Sequence, residues 1–144
     1  MGGIPLTALL LDTHTLVWLM EGNSRLGKRA RQRIQAAART DELLVSAISA
    51  WEIAMLVQKN RLVLDRDVAQ WLHAAMAMPG ISLAPLSLEV AVESTRLPGS
   101  LHPDPADRII AATARHHVAT LVTDDQRLLE YGAAGHLKVQ PAAL

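Results

Sequence analysis

The sequence predicts an α/β fold in which a mostly parallel sheet carries helices on both faces. Short apolar runs alternate along the chain with longer stretches that show helical spacing of apolar residues, and such alternation is typical of βαβ units. The runs are apolar at nearly every position, as parallel strands buried on both sides require. A length of 144 residues suits one domain, which we expect to span residues 1–144.

Five apolar runs are predicted as strands, and the stretches that separate them are predicted as helices. The strands are expected at residues 8–11, 43–45, 81–84, 120–122 and 137–139. The helices are expected at residues 13–20, 28–39, 47–60, 68–78, 88–96, 106–117 and 126–131. Turn residues at 98–99 and 103–105 (Pro-Gly and Pro-Asp-Pro) mark a loop before the sixth helix.

Composition excludes several classes of site. The chain has no cysteine, so disulfides, thiolate metal sites and a cysteine nucleophile are ruled out. It has no Phe, one Tyr and three Trp, which makes base stacking a poor basis for nucleic-acid binding. No apolar run approaches the length of a membrane span, and residues 1–7 lack the basic flank of a signal peptide. We therefore expect a cytoplasmic protein without a membrane partner.

The formal net charge is zero, but the basic residues are unevenly distributed. Six of them fall between Arg25 and Arg39 with no acid among them. This basic stretch is either a rim that contacts RNA phosphates, a surface for an acidic partner, or a solvated helix face.

Four acids lie close to the predicted carboxyl ends of strands or in the helices that follow. They are Asp12, Glu52, Asp107 and Asp125. Open α/β sheets bind ligands at that edge, so the four carboxylates are candidates for one shared site. Oxygen-only ligands suit Mg²⁺ or Mn²⁺, and such an ion can activate water and stabilise charge on a phosphate. The pattern therefore points to metal-dependent phosphodiester hydrolysis.

Each acid also has a purely structural interpretation. Asp12, Asp125 or its neighbour Asp124 could cap the helix that follows, and Asp104 before a proline is typical of an N-cap, which would make Asp107 an acid favoured by the helix dipole. Glu52 fits such a role least. It lies within an apolar helix whose natural cap is Ser46, and a carboxylate near a core must be paired or bind a metal.

At this point the chain resembles the PIN-domain ribonucleases, and most closely the toxins of VapBC-type toxin–antitoxin pairs. The likeness runs from about Leu9 to Val139. It is carried by the segments LLLDTHTLVWLM, VSAISAWEIAMLV, DPADRIIAATARHH and TLVTDDQRLL. The resemblance implies a PIN-like three-layer α/β/α sandwich with a parallel sheet of about five strands. It also implies Mg²⁺- or Mn²⁺-dependent endoribonuclease activity, a homodimer, and a cognate VapB-type antitoxin whose tail lies in the active-site groove.

Carried over by position, the family's catalytic and metal-binding acids correspond to Asp12, Glu52, Asp107 and Asp125. Five further residues are possible second-layer groups or substrate contacts: Thr123, His14, Asp104, Arg108 and Asp124. We expect Arg108 to form an ion pair with Asp104 or to reach a phosphate. One departure from the family pattern is Leu56, where many relatives carry a lysine, and Lys59 is a doubtful substitute.

Three other functions compete with a ribonuclease. A catalytically silent PIN-fold module that binds RNA or protein is the main alternative, although all four quartet positions are acidic here. An aspartyl-phosphate phosphatase would need an acid two residues after Asp12, where the chain has His14. A DNA-directed nuclease of this fold would carry helical insertions that a chain of this length lacks.

Overall fold

The computed structural model describes residues 8–144, so the expectation for residues 1–7 lies outside the described part. Five strands and seven helices alternate along it. The strands are β1 (Leu9–Leu11), β2 (Leu43–Ser46), β3 (Ile81–Ala84), β4 (Thr120–Thr123) and β5 (Val139–Pro141). The helices are α1 (Thr13–Glu21), α2 (Lys28–Arg39), α3 (Ala47–Gln58), α4 (Val68–Met76), α5 (Leu88–Glu93), α6 (Pro105–His116) and α7 (Gln126–Ala133).

The strands form one parallel sheet in the order β3-β2-β1-β4-β5. The central strand β1 pairs with β2 on one side and with β4 on the other. Its leucines alternate between the two faces of the sheet, as successive strand residues must. Leu9 and Leu11 pack in one core cluster, and Leu10 packs in the other.

Helices cover both faces of the sheet, which confirms the predicted three-layer α/β/α sandwich. The cluster around Leu11 includes side chains from α1 to α4, among them Leu16, Ile34 and Trp71. The cluster around Leu10 is built with α5, α6 and α7. This double coverage explains the hydrophobic character of the central strands β1 and β4, whose residues are all buried. None of the helices in residues 8–144 has the length and apolar character that crossing a membrane requires.

The boundaries of the elements differ from the prediction mainly at carboxyl ends. Helix α5 stops at Glu93 rather than at residue 96, and α3 stops two residues early because Asn60 adopts a left-handed backbone conformation (φ 57°). The last strand is Val139–Pro141 rather than residues 137–139. Leu137 lies in the core beneath α7, and Pro141 is tolerated because β5 is an edge strand.

Candidate active site

Helices that begin at the carboxyl edge of the sheet bring the predicted acids together around one cavity. The cavity has a volume of about 380 Å³. Its lining includes six acids, which we call the acid pocket: Asp12, Glu52, Asp104, Asp107, Asp124 and Asp125. Thr13, His14 and Trp18 complete the lining. Among residues 8–144, no lysine or arginine lines this cavity, so these walls carry only negative formal charge at neutral pH when histidine is neutral.

Asp12 is the most buried of these acids, with 7% of its surface exposed. It ends β1 and caps α1, and its Oδ1 accepts a hydrogen bond from the Thr13 backbone N–H at 2.8 Å. Its Oδ2 accepts a hydrogen bond from the Thr123 hydroxyl at 2.6 Å. Burial raises the pKa of Asp12, while these hydrogen bonds oppose the rise. The carboxylate is therefore held in a fixed orientation by two neighbouring strand ends.

Glu52 projects from α3 toward the start of α1. The Thr13 hydroxyl donates a hydrogen bond to Glu52 Oε1 at 2.5 Å, and the Ser49 hydroxyl oxygen lies 3.0 Å from the same threonine oxygen. Burial raises the pKa of Glu52, and the negative charges of Asp12 and Asp104 add to the rise. Ser46 caps α3 through the Ile48 N–H, so Glu52 has no capping role, as the sequence predicted.

Asp107 has a pKa that is raised into the neutral range. Burial, and after it the negative charges of the other acids in the pocket, together raise its pKa from 3.8 to about 7. Its Oδ2 lies 2.8 Å from Nε2 of His102, and its backbone N–H donates to Asp104 Oδ1 at 3.0 Å. A carboxyl group with a pKa near neutrality is typical of functional sites.

Three acids of the pocket remain to be described, Asp104, Asp124 and Asp125, and two of them also cap a helix. Asp125 caps α7 by accepting from the N–H groups of Arg127 and Leu128 at 2.9 and 3.1 Å. Asp104 caps α6. Asp124 is exposed and lines the cavity. The capping and pocket interpretations of these acids are therefore compatible, and both describe the structure.

The expected ion pair between Arg108 and Asp104 is not formed, and contact of Arg108 with a phosphate stays a prediction. Its Nε donates to the Ser94 carbonyl oxygen at 2.8 Å, and its Nη1 donates to the Leu101 carbonyl oxygen at 2.9 Å. The guanidinium is thus used to hold the loop before α6 against the end of α5, and it makes no ion pair with Asp104. Because Arg108 is the next residue after Asp107 on the helix, its side chain points in a different direction from that of Asp107.

Sequence reasoning missed three residues that shape the site. Thr13 bonds Glu52, His102 contacts Asp107, and the Trp18 ring forms part of the cavity wall. The Arg25 guanidinium lies 6.0 Å from the centre of that ring. Thr13 could have been found from its place in the first turn after Asp12, but His102 reaches Asp107 through a loop whose path no spacing rule predicts.

The donor chemistry of the acid pocket fits a divalent metal ion. The pKa values of Asp12, Glu52 and Asp107 are all raised, so ionising these carboxyls together is unfavourable without a cation. Within residues 8–144, however, no three histidine or acidic side chains already surround one ion position. Glu52 and Asp107 are instead turned toward Thr13 and His102, and they would have to reorient to share an ion.

The fold and the acid pocket together define the class of protein. It is an α/β/α protein with a carboxylate-lined cavity at the carboxyl ends of its parallel strands. Residues 9–134 match the PIN domain family. The chain belongs to that family, as the resemblance predicted.

Relatives and solved structures agree with this assignment. The chain is 40% identical over 124 residues to Ribonuclease VapC22 of Mycobacterium tuberculosis (strain ATCC 25618 / H37Rv), covering 85% of this chain and 91% of the relative. Its fold is shared with VapBC2 from Rickettsia felis bound to a promoter DNA fragment (TM-score 0.69, 16% identity, 93% and 98% of the two chains). It is also shared with a toxin–antitoxin complex from Klebsiella pneumoniae (TM-score 0.63, 22% identity, 94% and 98%).

Proposed function

We propose that this protein is a metal-dependent endoribonuclease that acts as the toxin of a type II toxin–antitoxin pair. The observation that carries the proposal is the acid pocket, where six carboxyl groups face one cavity that no lysine or arginine among residues 8–144 lines. A relative named as a ribonuclease, at 40% identity, supports the same activity. RNA phosphodiester bonds would be the substrate, and we include a cytoplasmic location in the proposal. We include in the proposal that residues 1–144 form one domain.

The proposed cofactor is Mg²⁺ or Mn²⁺, held by Asp12, Glu52, Asp107 and Asp125. A bound divalent ion supplies a more acidic water and neutralises negative charge on a phosphate. The protein orients the carboxylates through neutral hydrogen-bond donors. The Thr123 hydroxyl donates to Asp12, and the Thr13 hydroxyl donates to Glu52. His102 donates to Asp107 if its Nε2 carries the proton. Such supporting contacts commonly tune metal affinity tenfold or more. Asp104, Asp124 and His14 also line the cavity and could contact the substrate.

Metal binding is tested by thermal unfolding in EDTA and then in millimolar Mn²⁺. A ligand that binds only the native state raises the unfolding midpoint. We expect a rise for the wild type, none for Asp12→Asn, and an unchanged rise for Asp41→Asn. Asp41 is an exposed acid in a left-handed turn before β2, where asparagine is well tolerated.

Catalysis is tested by incubating purified protein with RNA in Mn²⁺ and following cleavage. The wild type should cut, the Asp12→Asn variant should not, and EDTA should abolish cutting by both Asp41→Asn and wild type. An Asp12→Asn protein that still cuts at the wild-type rate would show that the acid pocket is not the active site.

The catalytically silent binding module remains the second candidate because of one observation. Glu52 and Asp107 are already satisfied by Thr13 and His102, and no ion position is preformed in residues 8–144. Absence of both Mn²⁺ stabilisation and cleavage in the wild type would favour this module over the enzyme.

The proposed partners are a cognate VapB-type antitoxin and a second copy of the chain. An apolar groove of about 440 Å³ adjoins the acid pocket at Glu52 and Asp104, and its walls include Trp51 and Met55. Trp51 is 57% exposed, which is unusual for a large ring and supports a homodimer contact there. We expect Trp51→Glu to shift a dimer toward monomer in sedimentation velocity. Val63→Glu, at an 87% exposed position, is the matched control, and a monomeric wild type would contradict the dimer.

A further inference from the structure

A second cavity lies next to the acid pocket, on the layer that contains α5, α6 and α7. Its volume is about 390 Å³, which is within the range of small-ligand sites. We call it the side cavity; its walls include Ser100, His102, Arg127, Glu130, Tyr131 and Ala134. It is formed where the loop before α6 faces the outer side of α7.

One imidazole ring joins the two cavities. His102 lies in the wall of the side cavity, while its Nε2 is 2.8 Å from Asp107 Oδ2 in the acid pocket. The other ring nitrogen, Nδ1, is buried and has no hydrogen-bond partner within residues 8–144. A buried polar atom without a partner is costly in free energy, and this one belongs to a ring that forms part of the side-cavity wall.

Arg127 supplies the positive charge at the side cavity. It lies two residues after Asp125, in the first turn of α7, and its side chain is exposed. In the described part of the chain its guanidinium forms no ion pair. The one acid in the walls, Glu130, lies beside Gln126, whose side-chain amide donates to it at 3.3 Å. Arg127 is therefore available to an anion that comes from outside the protein.

Other arginines are less suited to this role. Arg108 is bound to two backbone carbonyl oxygens. Within the basic stretch, Arg31 donates to the Leu26 and Asn23 carbonyl oxygens and Arg33 donates to Gln140. These three guanidinium groups therefore already have hydrogen-bond partners within the chain.

We infer that the side cavity binds the nucleotide next to the scissile phosphate of an RNA strand, with Arg127 contacting its phosphate. This inference rests on the proposed ribonuclease function. Each phosphate of a strand carries a negative charge, and only the one at the acid pocket can be served by a metal ion there. The neighbouring phosphate needs a cation from the protein, and Arg127 lies two residues beyond Asp125, with His102 linking the two cavities.

The test measures binding of fluorescein-labelled single-stranded RNA of randomised sequence by anisotropy, in EDTA so that metal-dependent cleavage does not interfere. Loss of one phosphate contact should lower the slope of log K against log salt by about 0.7, and affinity at about 0.1 M salt by about fivefold. We expect these changes for Arg127→Gln. Arg61→Gln is the control, because Arg61 is exposed just beyond the end of α3 that points away from the acid pocket.

A second pair of variants tests the cavity without changing charge. Ala134 lines the side cavity, whereas Ala133, its exposed neighbour in α7, does not. Ala134→Trp should fill the cavity and weaken RNA binding severalfold, and Ala133→Trp should bind as the wild type does. Thermal unfolding of each variant confirms that the fold is retained.

The possible outcomes separate the inference from the function on which it rests. A wild type that binds and cuts RNA, with Arg127→Gln and Ala134→Trp unchanged in affinity and salt slope, would overturn the side-cavity assignment alone. A wild type that neither binds nor cuts RNA would overturn the proposed function, and the side-cavity assignment with it.

Discussion

The raised pKa of Asp107 predicts how the stability of the metal-free protein depends on pH. The pKa lies near 3.8 in the unfolded chain and at about 7 in the fold. Because the native state holds the proton more tightly, the free energy of unfolding should fall as pH rises from about 4 to about 7. Asp107→Asn cannot ionise, so it should be more stable than the wild type above this range and should lose that advantage as the pH falls.

The size of this change in the free energy of unfolding follows from the pKa shift of Asp107. A difference of about 3 pKa units corresponds to at most about 4 kcal/mol. The side chain is 19% exposed and the cavity opens to solvent, so screening reduces the expected value to about 1–2 kcal/mol. About two thirds of this amount falls between pH 5 and pH 8, because the unfolded carboxyl is already ionised at pH 5, so the stability advantage of Asp107→Asn at pH 8 should exceed its advantage at pH 5 by about 1 kcal/mol.

The assay is urea unfolding in EDTA at both pH values, with Asp41→Asn as the control that shows no such difference. If His102 were positively charged in its contact with Asp107, the ionised carboxyl would be stabilised instead. The advantage of Asp107→Asn would then be smaller at pH 8 than at pH 5, and that result would refute the reasoning. Saturating Mn²⁺ should reverse the order of the two proteins at pH 8, since the ion favours the ionised acid.

Three further substitutions test individual contacts. Thr123→Val removes the hydroxyl that bonds the buried carboxyl group at the start of α1 and should cost about 1–3 kcal/mol in urea unfolding, whereas Thr120→Val, in the same strand, should cost much less. Gly27→Ala places a Cβ about 2.2 Å from the Leu144 carbonyl carbon, and the backbone shift that this forces should lower the free energy of unfolding by about 1–3 kcal/mol. Unchanged stability would show that the carboxyl end of the chain moves aside at little cost. Arg108→Met should lower the thermal midpoint but leave the Mn²⁺-induced rise intact, and loss of that rise would show that Arg108 supports the metal site.

The convergence of the acids could be predicted because it follows from topology. Parallel strands end at one edge, and residues that follow them meet there whatever the details of packing. The same topology explains why capping and pocket formation are not alternatives. A helix that begins at this edge has its N-cap on the rim, so Asp12 and Asp125 bond to helix N–H groups and face the cavity as well.

Contacts made through loops or by side-chain rotation could not be predicted. His102 reaches Asp107 from the loop before α6. The direction of Arg108 depends on two carbonyl groups, that of Ser94 at the end of α5 and that of Leu101 in the loop. Trp51 belongs to an apolar helix, and its exposure depends on what the neighbouring helices leave uncovered. None of these features leaves a periodic signal in the sequence.

The position of β1 at the centre of the sheet has a consequence for synthesis of the protein. This first strand cannot acquire its second neighbour until β4 has been made, since Leu10 pairs with Leu121. The Thr123 hydroxyl that orients Asp12 comes with that same strand, and Asp125 follows it. A nascent chain therefore holds its first acid for most of translation without the residues that complete the site. Under the proposed ribonuclease function, cleavage of RNA should therefore begin only after β4 leaves the ribosome.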